Sequence, residues 1–332
     1  MEQDKHSLVA IKCFVFNHEL YLRDCLNGFV MQQTDFPFVA IVHDDASTDH
    51  SADIIREYAA KYPDIIRPIY ETENQYSKGD GSLGRIMNAA VDATGAKYIA
   101  MCEGDDYWTD PHKLQKQVDF LETHSDYVIT SHRYKIYDQE QNTFEPDYLC
   151  TAFAGKEQTV GLRFLKENYL DFPYMQTMSV VYRADSFDKD YYMSLAVHGD
   201  LVLFYVVLRQ GFGFCMNFEG AVYRRSYTGV YAKQSWERKH YIGFNLYSKM
   251  YHHTKDVVFL PHAKSHAELV WGDIKKNILQ NGVYDAKMAK AVLLFWWAIG
   301  ERKKMFISLC KLKKWKVVCF FIKRFVGIEN KE

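Results

Sequence analysis

No apolar run in the chain approaches the roughly 20 residues that a membrane-spanning helix requires, so no segment is expected to cross a bilayer. Cysteine is sparse and unpaired in pattern: Cys13, Cys25, Cys102, Cys150, Cys215, Cys310 and Cys319 stand singly, with no CxxC and an odd total of seven. That argues against a disulfide framework and fits reduced thiols in a cytosolic protein. Neither sign of charge prevails, with 41 basic against 42 acidic residues, so no overall field draws nucleic acid and none is expected as a partner. Internal repeats and low-complexity segments are absent. The opening Met1-Glu2-Gln3-Asp4-Lys5-His6 is charged and passes straight into a strand-like run, so neither a signal peptide nor a transit peptide is expected.

What the chain does have is 48% hydrophobic residues over 332 positions, enough for one large domain or a domain with an appendage. Residues 8–16 form an apolar run interrupted only by Lys12 and read as a buried strand ending at Asn17-His18. Residues 19–33 then carry Leu20, Leu22, Leu26, Phe29 and Val30 at helical spacing. A second strand, 38–42, ends in His43-Asp44-Asp45-Ala46-Ser47-Thr48-Asp49, where Asp49 or Ser51 can cap a helix over 52–62. The pattern continues with strand 65–70, helix 84–94, strand 98–101 and helix 111–123. Strands alternating with helices predict an α/β fold, a doubly wound, mostly parallel sheet flanked by helices. Further on, 127–137 and 177–182 read as strands, 159–168 as a helix, 201–209 as an apolar helix, and 212–217 and 221–223 as short strands. No strand signal remains beyond about Tyr231, which predicts one domain over 1–230 and a helical extension over 231–332.

The stretch that carries most chemistry is Glu103-Gly104-Asp105-Asp106-Tyr107-Trp108, placed where the fourth strand ends. Open α/β sheets bind ligands at that edge. Three acids within four residues repel one another, and a cation relieves the repulsion. Hard oxygen ligands favour magnesium or manganese over zinc. Asp44 and Asp45 end a second strand on the same edge, and a carboxylate there can cap a turn or accept from a nucleobase imide N–H and a ribose hydroxyl. Asp200, after Gly199 at the mouth of a helix, is an N-cap and a candidate general base for a hydroxyl. Gly79-Asp80-Gly81-Ser82-Leu83-Gly84 spells GxGxxG, but the polar residues 71–78 separate it from the preceding strand, so it reads as a loop that could fold over a diphosphate with Lys78 or Arg85 adding positive charge. His262 and His266 share a helix face without an HExxH pattern and read as solvated. Residues 302–324 are basic, free of acids and interleaved with aromatics; either they pack on the first domain or they lie on an anionic bilayer.

Taken in order, Phe16-Asn17, Gln32-Gln33-Thr34, Asp44-Asp45-Ala46-Ser47-Thr48-Asp49, Glu103-Gly104-Asp105-Asp106 through Pro111, His198-Gly199-Asp200 and Tyr223-Arg224 resemble family 2 of the inverting glycosyltransferases, with the GT-A fold. The resemblance covers residues 8–231 and implies a nucleotide-sugar donor, a UDP-sugar first, and Mn2+ or Mg2+ as cofactor. It implies that Phe16, Asn17, Asp44, Asp45 and Asp105 bind the nucleotide, that Asp106, helped by Asp105, holds the metal, and that Asp200 is the catalytic base. Arg224 joins Lys78 and Arg85 as a diphosphate contact. Glu103 stands where many relatives have Asp, and Ser226 near where many have His. The Gln-x-x-Arg-Trp signature of processive members is missing, which favours transfer of single sugars. The resemblance to enzymes of bacterial surface polysaccharide assembly further implies a glycan or lipid-linked acceptor at the inner face of the cytoplasmic membrane. A sugar nucleotidyltransferase and a non-catalytic nucleotide-sugar or membrane-binding module are the alternatives. The first lacks its basic glycine-rich loop here; the second would survive Asp200→Asn with its binding intact.

Overall fold

A computed structural model of the chain describes residues 7–311 apart from 157, 172, 173, 227, 228, 230, 231 and 282–284. The expected alternation is present from the start: β1 (Val9–Val15), α1 (Leu22–Val30), β2 (Phe38–Asp44), α2 (Ser51–Lys61), β3 (Ile66–Tyr70), α3 (Ser82–Asp92) and β4 (Tyr98–Met101). β1, β2 and β4 are buried nearly throughout, as continuous apolar runs covered on both faces must be. These four strands are parallel in the order β3-β2-β1-β4. Register sets Val15 beside Asp44 and Lys12 beside Met101, so the loops after β2 and β4 flank the end of β1. A crevice at such a switch point is where this architecture takes ligands.

Beyond β4 the sheet becomes mixed. The remaining elements are β5 (Tyr107–Trp108), α4 (Lys113–Thr123), β6 (Tyr127–Asp138), β7 (Thr143–Pro146), α5 (Cys150–Phe153), β8 (Gly161–Phe164), β9 (Val181–Arg183), α6 (Lys189–Ser194), α7 (Asp200–Leu208) and β10 (Phe212–Arg225). β9 lies antiparallel between β4 and β6, β6 and β10 are parallel, and β5 closes the order antiparallel to β10. The parallel half therefore holds the first acidic pair, and the junction of the two halves holds the second.

Three local expectations need correction. Residues 159–168 do not form a helix; Gly161–Phe164 is a strand paired antiparallel with β10. The Phe164 ring covers Gly213 and the Phe214 ring covers Gly161, and a Cβ on either glycine would collide with that ring. Aromatic cover over a cross-strand glycine is invisible to a periodicity count. The two short strands at 212–217 and 221–223 are one strand, whose bulges between Met216 and Ala221 disguise its continuity. The strand expected over 177–182 starts as a 3-10 turn, Thr177–Ser179, before β9.

The chain divides into two compact units, Met1–Ser194 with His198–Tyr227, and Leu195–Val197 with Thr228–Glu332. The second is helical: α8 (Trp236–Thr254), α9 (Leu260–Asn281), α10 (Ala286–Ala298) and α11 (Arg302–Lys311). Its own core gathers Phe244, Val270, Trp271, Ile274, Leu293, Trp296 and Met305, so the aromatic cluster of α10 is internal packing. Among the described residues no helix is long and apolar enough to cross a membrane. The basic stretch beyond Lys311 lies outside the described residues.

Candidate active site

The loops after β1 and β2 are laced together. Asn17 adopts a left-handed φ of 57°, and its side-chain oxygen accepts from Thr48 N at 2.7 Å while its own N–H donates to Ser47 Oγ at 2.9 Å. His18 N donates to Ser51 Oγ and Glu19 N to Asp49 Oδ2. Asn17 thus shapes the crevice wall, and Phe16 beside it keeps 40% of its surface exposed.

Asp44 and Asp45 part company. Asp45 is buried, with Oδ1 accepting from Gln75 N at 2.6 Å and Oδ2 from Tyr76 N at 3.0 Å. It therefore suspends the loop that carries Lys78. Asp44 is equally buried, yet its Oδ1 has no partner, and burial raises its carboxyl against the opposing hydrogen bonds of Ser47. A buried unpaired carboxylate oxygen is costly and asks for a donor. Lys78 and Arg85 are exposed, Lys78 on Gln75 Oε1 and Glu73, Arg85 on Asp80. The glycines of the GxGxxG run follow a 3-10 turn, Tyr76–Lys78, and Gly79 and Gly81 serve left-handed turns at φ 65° and 80°.

The acidic turn is packed onto the end of β1. Gly104 N donates to Phe14 O at 3.0 Å, and a Cβ on Gly104 would stand 2.8 Å from His18 Nδ1 and 3.0 Å from Val15 Cγ2. Asp106 is buried and its Oδ1 accepts from Arg224 N at 2.7 Å. Arg224, only 7% exposed, donates from Nε to Asp105 O at 2.9 Å, from Nη1 to Gln139 and from Nη2 to Asp24, and it lies over the rings of Tyr21, Tyr107 and Tyr137. Its guanidinium clamps the turn from behind rather than facing the crevice as a free cation. Burial, then the charge of Asp105, hold the Asp106 carboxyl well above the usual range. Glu103 is open to solvent yet ringed by protein, which pushes its carboxyl up to about 8, with Asp105 and Asp200 adding to the shift.

Asp200 opens α7 after Gly199, whose φ of 143° suits glycine. Its Oδ1 accepts from Leu201 N at 2.7 Å and its Oδ2 from Thr177 Oγ1 at 3.3 Å. Because Glu103 feels both Asp105 and Asp200, and His18 feels Asp105, Asp49 and Asp44, all these groups share one electrostatic neighbourhood. Burial outweighs those carboxylates at His18 and lowers its imidazole. Sequence reasoning gave no role to His18, Trp108 or Thr177, although Trp108 closes the acidic motif and His18 follows the first strand.

Among the described residues no group of three or more His, Cys, Asp and Glu side chains is arranged to hold a metal alone. That donor set still fits Mg2+ or Mn2+, which bind through one or two carboxylates and complete their shell with water and substrate phosphate. Asp105 and Asp106 supply hard oxygens, and burial with the charge of Asp105 raises the Asp106 carboxyl, a penalty that a cation there would relieve.

A curled mixed sheet flanked by helices, with carboxylates gathered at the carboxyl edge of its parallel half, is a GT-A-like fold. Residues 13–187 match the family described as Glycosyl transferase family 2, and the chain belongs to that family. The uncharacterized protein Rv1520 of Mycobacterium tuberculosis is 30% identical over 308 residues, which cover 87% of this chain and 78% of that one. The dTDP-rhamnosyl transferase RfbG of Shigella flexneri is 27% identical over 165 residues, 47% of this chain and 55% of RfbG. Residues 1–349 of S. aureus TarS, solved in complex with UDP-GlcNAc, share the fold at a TM-score of 0.59 and 14% identity, over 92% of this chain and 88% of that one.

Proposed function

We propose that the protein is a metal-dependent, inverting glycosyltransferase that moves one sugar from a nucleotide-diphosphate sugar to a hydroxyl of a glycan or lipid-linked acceptor. Its setting is the assembly of bacterial surface polysaccharide at the inner face of the cytoplasmic membrane, with residues 1–230 catalytic and 231–332 an extension. The observation that supports this reading most is the hydrogen-bonded link between the acidic turn and Asp200: the Trp108 indole at the end of that turn donates to Met178 O at 2.8 Å, and the neighbouring Thr177 hydroxyl donates to Asp200 Oδ2 at 3.3 Å. The relatives' names support the donor class, since TarS was solved with UDP-GlcNAc and RfbG is called a dTDP-rhamnosyl transferase.

Asp44 receives the nucleoside, its unpaired Oδ1 accepting from a base imide N–H or a ribose hydroxyl. Phe16 offers an exposed ring beside it, and Asp45 sets the loop that brings Lys78 toward the diphosphate. Asp105 and Asp106 would hold Mn2+ or Mg2+, which when bound would supply positive charge to the departing diphosphate without proton transfer. Asp200 takes the proton of the acceptor hydroxyl as it attacks the anomeric carbon from the face opposite the diphosphate, which inverts that centre. Arg224 keeps Asp106 and Asp105 in place from behind.

The test is thermal stability against UDP, GDP, dTDP and CDP, with and without Mn2+, on wild type and Asp106→Ala. A manganese-dependent rise with one nucleotide, lost in the variant, is expected and names the donor's nucleotide. A rise with none of them, or with NAD alone, overturns the reading.

A further inference from the structure

The mechanism uses Asp200 and the acidic turn, which lie on separate elements nearly a hundred residues apart in sequence. One short segment between them is held by the acidic-turn side at every free carbonyl. Trp108 Nε1, within β5, donates to Met178 O at 2.8 Å. Gln117 Nε2, on α4, donates to Ser179 O at 2.9 Å, and Met101 N, at the end of β4, donates to Val180 O at 3.2 Å. Gln176 and Ser179 close the turn on itself, with Gln176 N donating to Ser179 Oγ and Ser179 Oγ donating to Gln176 O. Met178 and Ser179 are fully buried and Thr177 is 9% exposed, so the turn has little room to shift. From this fixed turn the Thr177 hydroxyl donates to Asp200 Oδ2 at 3.3 Å.

We propose that Thr177, carried on the 3-10 turn pinned by Trp108, is the positioning residue that sets the orientation of the Asp200 carboxylate relative to the metal-binding turn. With Leu201 N on Oδ1 and Thr177 Oγ1 on Oδ2, both oxygens are tied, and the rotation that would swing the carboxylate away from the acceptor is opposed. Leu201 N belongs to α7 and moves with Asp200. Thr177 does not, so it alone of the two refers the base to the other half of the site. A base held within a few tenths of an ångström is worth more to the rate than to substrate affinity. The inference rests on Asp200 as the base.

Two measurements test it on the full-length chain. Release of nucleoside diphosphate from UDP-glucose, UDP-GlcNAc and dTDP-rhamnose with Mn2+ is followed for wild type, Thr177→Val, Thr177→Ser and Asp200→Asn. Thr177→Val is expected to lower kcat about tenfold, the factor that one ordinary hydrogen bond carries, with KM unchanged. Thr177→Ser, which keeps the hydroxyl, is expected within about twofold of wild type. In parallel, urea midpoints of Thr177→Val, Asp200→Ala, which leaves Thr177 no acceptor, and the double variant form a cycle that needs no substrate, and the two losses are expected not to add. Wild-type kcat in Thr177→Val with Asp200→Asn inactive overturns the positioning role and leaves the base in place. Equal loss in Thr177→Val and Thr177→Ser overturns it as well, by assigning the effect to packing. Full turnover in Asp200→Asn sinks the base itself. If none of the three nucleotide sugars is turned over, an additive cycle overturns the proposal and a non-additive one sustains it.

Discussion

Arg224 separates two ways of building this site, because a cation beside a diphosphate and a clamp behind an acidic turn fail differently when removed. In Arg224→Ala the Nε bond to the backbone oxygen of Asp105 is lost, and a charged hydrogen bond to a partly buried acceptor contributes ~1.5–3 kcal/mol. The bonds to Gln139 and Asp24 reach exposed side chains and add only ~0.5 kcal/mol each. Contacts with the rings of Tyr21, Tyr107 and Tyr137, at 4.9, 5.1 and 5.5 Å from the guanidinium carbon, add ~1–2 kcal/mol together. The sum is a loss of ~3.5–6 kcal/mol, at the upper end of what breaking a buried charged network costs. Arg224→Lys keeps stem and charge but loses the fork, and about half that loss is expected.

The assay is urea unfolding of wild type and both variants without nucleotide, with the slope checked for constancy. Stability should fall in the order wild type, Lys, Ala before any ligand is added. Affinity for Mn2+ should fall with it, since Asp105 loses its backbone anchor and Asp106 sits one residue away. A variant with an unchanged urea midpoint and a selective loss of nucleotide affinity would refute this reasoning and return Arg224 to the diphosphate.

The two aspartates at the end of β2 should separate in the same way. Asp45→Ala removes the acceptor of two backbone N–H groups, so a loss of ~1–3 kcal/mol and faster proteolysis of the 71–79 loop are expected. Asp44→Asn removes a buried negative charge that burial penalises, so unchanged or higher Tm with weaker nucleotide binding by calorimetry is expected. Glu103 gives a pH signature. Its carboxyl titrates near 4.5 unfolded and about 8 folded, so the folded state binds the extra proton between those values. Wild type should then lose stability relative to Glu103→Gln as pH rises from 4.5 to 8, and Mn2+ should suppress that loss. Denaturant midpoints at pH 5, 6, 7 and 8 check the sign, and parallel curves would sink the assignment. Gly104→Ala should cost ~1–3 kcal/mol because its Cβ meets His18 Nδ1 and Val15 Cγ2 at 2.8 and 3.0 Å; His18→Ala should recover part of this in urea.

The parallel half of the sheet was legible in the sequence because strands buried on both faces leave continuous apolar runs, and their ends located both acidic clusters. The roles of Asp44 and Asp45 were not separable, since neighbours at a strand end diverge and only the structure shows that residues 75 and 76 fold back onto one of them. Arg224 read as an available cation because its burial depends on the register of β10 against β5, which sets Val222 beside Tyr107 and so brings the next turn of chain to Asp106. No local pattern encodes that pairing. Thr177 was hidden for a related reason. Its run of Met, Ser and Val suggested a strand, whereas the residues that bend it into a 3-10 turn, Trp108 and Gln117, lie far off in sequence.

These partners also bear on what the acidic turn is for. Three carboxylates crowd one bend, and the protein places few positive charges to match them. Arg224 lowers the carboxyl of Asp106, but burial and Asp105 both act more strongly in the opposite direction. Lys113 is fully buried over the Trp108 ring at 4.1 Å, and burial drops its amine to about 7, so it is a weak counter-charge near neutral pH. Lys78 spends its amine on Gln75 and Glu73. A fold that needed the bend only for its shape could have used asparagine at Asp106, which would still accept from Arg224 N without the repulsion. Retaining the acid makes the folded protein tighter in its hold on protons and less stable as pH rises. On the proposed function, a divalent cation displacing the protons would remove that cost, and the same residues that weaken the free protein would give the metal its affinity.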